Sequence, residues 1–152
     1  MGATAGSRLR AMYTILLPVD ANEDRAVRQA TFVRELPCDP EELSVHILFV
    51  FTEGMHADEV PEELKRFDSA NRVQSVRRTM ELLEEAGIQH ELVEDSGEVA
   101  EDILDVAAAL DIDQIVLGGR KRSPAGKLLF GSVTQEVLLN SERPVTVTGV
   151  RE

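Results

Sequence analysis

The chain reads as one α/β domain on a doubly wound parallel sheet of five strands, with helices on both faces. Two observations predict this. Five short apolar runs recur along the sequence, each too short for a helix of ordinary length, and four amphipathic segments of helical period separate or follow them. Consecutive parallel strands need crossovers, and helical crossovers cover both faces of the sheet. At 152 residues and 43% hydrophobic content, a single domain is expected, long enough to bury roughly 70% of the surface its unfolded chain exposes.

The elements follow in order. Residues 13–19 (YTILLPV) form a near-continuous apolar run ending at Pro18-Val19-Asp20, the pattern of a strand covered on both faces. Residues 20–36 carry Ala26, Ala30 and Val33 at helical spacing, and Pro37 closes that helix. Residues 43–51 (LSVHILFVF) are a second buried strand. Over 57–86, Leu64, Phe67, Val73, Val76, Met80 and Leu83 recur at three- and four-residue steps, which predicts one long amphipathic helix stopped by Gly87. Residues 88–94 are a third strand, polar enough for an edge. Residues 98–110 are a helix with Val99, Ile103, Val106 and Ala107 inward, 112–117 a fourth strand, 132–140 a helix, and 144–150 (PVTVTGV) a fifth strand. Residues 1–11 read as a flexible arm before a domain over 12–152; they lack the apolar segment of a signal peptide. No apolar run approaches the ~20 residues of a membrane span. A single cysteine, Cys38, excludes an internal disulfide and argues against structural zinc. The expected compartment is the cytoplasm.

Charge narrows the function. A net charge of −12 argues against nucleic acid, because phosphate neutralisation needs a basic face. Thirteen Arg against three Lys, with few aromatics, suggests adaptation to high salt, where surface repulsion is screened. Against this background residues 114–135 hold no Asp or Glu, although the chain has 28. They hold Arg120, Lys121, Arg122 and Lys127, with Gly118, Gly119, Gly126 and Gly131. Cations and bare backbone in one segment suggest that it meets an anion such as a phosphate chain. Gly131-Ser132 opens a helix, whose N-terminus offers N–H donors and partial positive charge. Ser132 with Gln135 also reads as a capping box. Asp20 stands after the first strand, where it reads on its own as the N-cap of the next helix, with Glu23 three residues on.

Other chemistries lack their parts. His46, His56 and His90 are far apart, and a satisfied histidine is the better reading of each than a metal ligand. Ser123 has no positioned base, and Cys38 no basic neighbour to lower its pKa. A phosphoacceptor receiver needs an acidic cluster after the first strand, an Asp at the end of a central strand and a distal Lys; Asp20 is in place, but the second strand ends in Val-Phe-Thr. No G-x-G-x-x-G follows the first strand, which disfavours a dehydrogenase.

Taken together, Ile15-Leu-Leu-Pro-Val-Asp20, Ala100-Glu-Asp-Ile-Leu104, Asp113-Gln-Ile-Val-Leu-Gly118, Gly118-x2-Lys121-x9-Gly131-Ser132-Val133 and Arg143-Pro144-Val145-Thr146-Val147 resemble the universal stress protein family over residues 12–150. The resemblance implies strand order 3-2-1-4-5, a homodimer through the last strand (144–150) and, in one branch, binding of ATP or AMP, with Mg2+ accompanying ATP. That branch carries G-x2-G-x9-G-[ST]. Lys121 departs from its second glycine, and either obstructs the backbone's approach or supplies an ammonium to a phosphate; Arg120, Arg122 and Lys127 beside it favour the second. By matching position, Pro18, Val19 and Asp20 would line the adenosine end, Asp20 accepting a ribose hydroxyl or assisting a metal ion. Val50 would meet adenine through its backbone. Gly118, Gly131, Ser132 and Val133 would hold phosphates, with Arg120 and Lys121 nearby. The implied role is a stress-response regulator with slow or no hydrolysis, not an enzyme. The alternative is a dimeric interaction module of the same fold that binds no nucleotide.

Overall fold

The structure is a computed structural model that describes residues 12–51, 73–119 and 130–149. The expected arm at 1–11, the first part of the expected long helix, the loop cations Arg120, Lys121, Arg122 and Lys127, and Val150 lie outside the described residues. Five parallel strands form one sheet of order β3-β2-β1-β4-β5. They are β1 (Tyr13–Pro18), β2 (Leu43–Phe51), β3 (Gln89–Ser96), β4 (Gln114–Gly118) and β5 (Val145–Thr148); the helices are α1 (Glu23–Arg34), α2 (Gln74–Glu85), α3 (Val99–Ala109) and α4 (Ser132–Asn140).

Side chains alternate across each strand and so divide the core in two. Ile15, Leu17, Val45, Ile47, Phe49 and Val116 face α1 and α2, where Ala26, Val33, Val76 and Leu83 meet them. Leu16, Leu48, Val50, Ile115 and Leu117 face α3 and α4, against Ala100, Ile103, Ala107 and Val137. Coverage on both faces is why these strands are apolar throughout. β3, covered less completely, keeps half its residues exposed and sits at an edge, as its polarity predicts.

Strand register sets up the site. β1 pairs with β2 over six positions, Tyr13↔Leu43 to Pro18↔Leu48. With β4 it shares only Ile15↔Gln114 and Leu16↔Ile115. Side chains close the amino end of that seam. Thr14 N donates to Asp113 Oδ2 at 2.8 Å, Tyr13 Oη to Gln114 Oε1 at 3.0 Å, and Gln114 Nε2 to Thr146 Oγ1 at 2.6 Å. Beyond Leu16 and Ile115 the two strands part.

Helix ends correct three readings. α1 is capped by Asn22, whose side chain accepts the Arg25 N–H at 2.9 Å, and not by Asp20. Asp20 Oδ1 instead accepts the Asn22 N–H at 2.9 Å, which orders the turn before the helix. α2 begins at Gln74 because Val73 is extended (φ −75°, ψ 129°) with its side chain buried in the core, so one continuous helix does not run through from residue 57. α4 has Gly131 as its N-cap: the Gly131 carbonyl already accepts the Gln135 N–H, leaving Ser132 inside the first turn and Gln135 one position too late for a capping box. Gln135 Nε2 donates to the Phe130 carbonyl at 3.2 Å.

α2 ends as its sequence predicts. Gly87 adopts φ 73°, its N–H donates to Glu84 O, and the Ile88 N–H reaches Leu83 O at 3.0 Å, a Schellman arrangement with Leu83 and Ile88 both buried. A Cβ at Gly87 would meet no atom within 4 Å, so Gly87→Ala isolates the backbone cost. We expect a loss of about 1–2 kcal/mol, read as a lower denaturant midpoint with unchanged slope.

Candidate functional site

A cavity of about 310 Å3 opens where β1 and β4 part, at the carboxyl ends of the strands. This is the position at which ligands bind in doubly wound sheets, because strand order reverses there. Pro18, Val19 and Asp20 approach it from β1, Leu48 to Val50 from β2, and Leu117 and Gly118 from β4. α3 and the start of α4 add Val99, Ile103, Gly131, Val133 and Thr134. α1 adds Arg25 and Gln29 from the other face.

The β2 wall presents backbone. Val19 N–H donates to Leu48 O at 2.9 Å, the last rung between β1 and β2. Strand residues alternate, so the Val50 N–H and C=O point the same way as those of Leu48, into the space β1 has left. Phe51 O, of opposite parity, accepts the Gly97 N–H on the β3 side at 3.1 Å, which confirms the alternation.

The seam itself is bridged by Gln29. Its amide nitrogen donates to Pro18 O at 2.6 Å and Val116 O at 3.1 Å, one carbonyl from each parted strand. The residue is 1% exposed. Buried carbonyls without donors are costly, so a side chain here replaces the missing ladder bonds.

Arg25 lies one helical turn before Gln29. Its Nη1 pairs with Asp20 Oδ2 and its Nε donates to Gly119 O at 3.4 Å. Its stem runs over Gly118: a Cβ there would fall 2.2 Å from Arg25 Cγ and 2.6 Å from Cδ. Gly118 is therefore needed for side-chain space beside α1, a role its place in the glycine pattern does not reveal. The pair is partly exposed, 20% for the Arg25 side chain and 56% for Asp20, so its net worth to stability is about 0–1 kcal/mol. Asp20 is further fixed by its own carbonyl, which accepts from buried Ser75 Oγ at 2.5 Å.

The start of α4 faces the same cavity. No side-chain hydrogen bond caps it, and the N–H groups of its first turn belong to the unsatisfied set at any helix start. Among the described residues the helix start is the uncompensated positive pole on this cavity, Arg25 lining it as one half of its ion pair with Asp20, and both are set against apolar Val50, Val99, Ile103 and Val133.

The structure thus brings together Pro18, Val19, Asp20, Val50, Gly118, Gly131 and Val133, all named from sequence. Ser132 is exposed beside them and does not line the cavity. Arg120 and Lys121 lie outside the described residues. Sequence reasoning missed Arg25, Gln29, Ser75 and Thr134. The available signal was the four-residue spacing of Arg25 and Gln29 alongside inward Ala26 and Ala30. Among the described residues no group of three or more His, Cys, Asp or Glu could hold a metal ion. Cys38 is exposed; desolvation, then Glu42 and Asp39, push its thiol pKa up. No described helix is long and apolar enough to cross a membrane.

Comparison with known proteins agrees with this architecture. A model described as the Universal stress protein family matches residues 12–149. A universal stress protein of Mycolicibacterium smegmatis is 38% identical over 64 residues, which are 41% of this chain and 49% of that protein; the match spans about half the relative's length. The universal stress protein of Archaeoglobus fulgidus superposes with TM-score 0.69 at 28% identity, covering 89% of this chain and 97% of that one. A universal stress protein from the same organism, solved in complex with dAMP, superposes at 0.64 with 23% identity, covering 89% and 96%.

The Arg25–Gly118 contact has a measurable consequence. Gly118→Ala should destabilise the protein by about 1–3 kcal/mol through overpacking. Adding Arg25→Ala should remove the part of that loss owed to Arg25, leaving the tight 3.0 Å approach to buried Gln29 Oε1, and a double-mutant cycle of denaturation midpoints would show the coupling.

Proposed function

The chain belongs to the universal stress protein family, and we propose that it is a cytoplasmic, salt-adapted stress-response regulator that binds an adenine nucleotide and acts as a homodimer. The observation that carries this reading is the cavity at the parting of β1 and β4. It joins an apolar slot, the outward-turned backbone of Val50 and an uncapped helix start in one enclosure. In this reading adenine lies between apolar side chains and meets the Val50 backbone. Ribose lies toward Asp20, and phosphate at the first turn of α4, where N–H donors and the helix dipole favour an anion. About 310 Å3 is near the small end of ligand pockets and holds an adenosine-sized ligand. The likeness to the dAMP-bound A. fulgidus protein carries the fold; the nucleotide reading rests on this chain's own cavity.

A hydrolytic role is not proposed. Asp20 is the carboxylate that lines the cavity, and Asn22 and Arg25 both engage it rather than leaving it as a base for water. Dimerisation through β5 is supported by Val145 and Val147, half-buried on an edge strand, and by exposed Leu138 and Leu139 on neighbouring α4. A second reading, an interaction module without nucleotide, is favoured by the Asp20–Arg25 pair at the cavity wall.

The test is twofold. Protein purified in high salt should release AMP or ATP on denaturation, identified by mass spectrometry. Calorimetry should show AMP binding that weakens about tenfold or more in Gly131→Val, a change of at least ~1.4 kcal/mol. Gly131 is extended (φ −74°, ψ 171°), so valine can adopt this backbone, and it fills space at the helix start at the cost of a weaker N-cap. No released nucleotide and no heat with wild type would leave the interaction module as the function.

A further inference from the structure

We infer that Arg25 is a cation of the nucleotide site: its guanidinium takes the ligand's phosphate and stands in for a divalent metal ion, so that this chain binds a nucleoside monophosphate without metal. The inference rests on the adenine-nucleotide reading above and adds to it a residue and a cation requirement.

Position comes first. Arg25 lines the same cavity as Gly131, Val133 and Thr134 of the α4 start, whose first turn has no side-chain cap. The side chain is held in place at three points. Its stem lies on the Cα of Gly118, its Nε reaches Gly119 O, and its Nη1 pairs with Asp20. Those bonds use two of the nitrogens, and a guanidinium presents five N–H donors in a planar fork suited to phosphate. A fixed arginine loses little freedom when it binds.

Next, the neighbourhood of Asp20 does not suit Mg2+. That ion needs near-octahedral oxygen ligands at short range. Asp20 Oδ1 accepts from Asn22 N–H and Oδ2 from Arg25 Nη1, while its backbone carbonyl accepts from Ser75. A metal there would displace these donors and sit against a positive charge.

The experiment is calorimetric titration of the full chain with AMP and with adenosine, in EDTA and in excess Mg2+, at fixed salt. Wild type should bind AMP equally well in both media and prefer it to adenosine. Arg25→Gln keeps the stem over Gly118 but removes the charge. It should weaken AMP by about 10- to 100-fold, as expected for a lost hydrogen bond to a charged group, and leave adenosine within about twofold. Arg25→Lys should recover part of the AMP affinity. A purely structural role would weaken both ligands together. AMP affinity unchanged or raised in Arg25→Gln would overturn the inference, as would a wild type that needs Mg2+ for AMP. Wild type that binds neither AMP nor adenosine would bring down the nucleotide reading as well.

Discussion

The parting of β1 from β4 is the constraint on which the rest of this molecule depends. The two strands share two rungs and then diverge, although each continues beside its other neighbour. At the amino end, Thr14, Asp113, Tyr13, Gln114 and Thr146 tie the seam shut. At the carboxyl end the ladder is missing, and main-chain carbonyls at Pro18 and Val116 need donors from elsewhere. Proline has no N–H to offer a partner strand. Gln29 supplies both bonds from α1, which makes a stable opening out of what would otherwise be a row of orphaned polar groups. The cavity follows from sheet topology, with one helix residue making it tolerable.

Much of this was legible in the amino-acid order. Strands buried on both faces cannot alternate, so YTILLPV and LSVHILFVF announce themselves, and β2 falls at the residues expected. Gly87 and Pro37 mark helix ends through backbone geometry alone. The cavity's strand-end residues were legible through their place in a family pattern. What escaped were features decided by the meeting of distant segments. Whether Asp20 or Asn22 caps α1 depends on a turn tied to Ser75, 55 positions away. Whether Ser132 or Gly131 caps α4 depends on where the chain enters the helix. On α3, Ala100 is more deeply buried than Val99 or Val106, because close packing on the sheet favours the smaller side chain. Arg25 and Gln29 look like ordinary solvated positions until Pro18, Val116 and Gly118 are brought beside them.

Charge is organised at short range. The protein carries −12 overall, and its field beyond roughly a Debye length vanishes in concentrated salt. Among the described residues, two elements act on the cavity at short range: a guanidinium paired with Asp20 and a helix start without a side-chain cap. Such fixed groups keep their effect where diffuse surface charge is screened.

The contact between Arg25 and Gly118 also orders the history open to this chain. The glycine leaves room for the arginine or for a shorter side chain at position 25, whereas the arginine in this pose accepts no side chain larger than hydrogen at position 118. A lineage can lose the arginine and keep the glycine in a single step. It can replace the glycine only after the arginine has gone or swung aside and Gln29 has given way slightly. Descent through this site therefore runs more easily in one direction than back, and a relative with a bulkier residue after the fourth strand should carry something other than this arginine on the first helix.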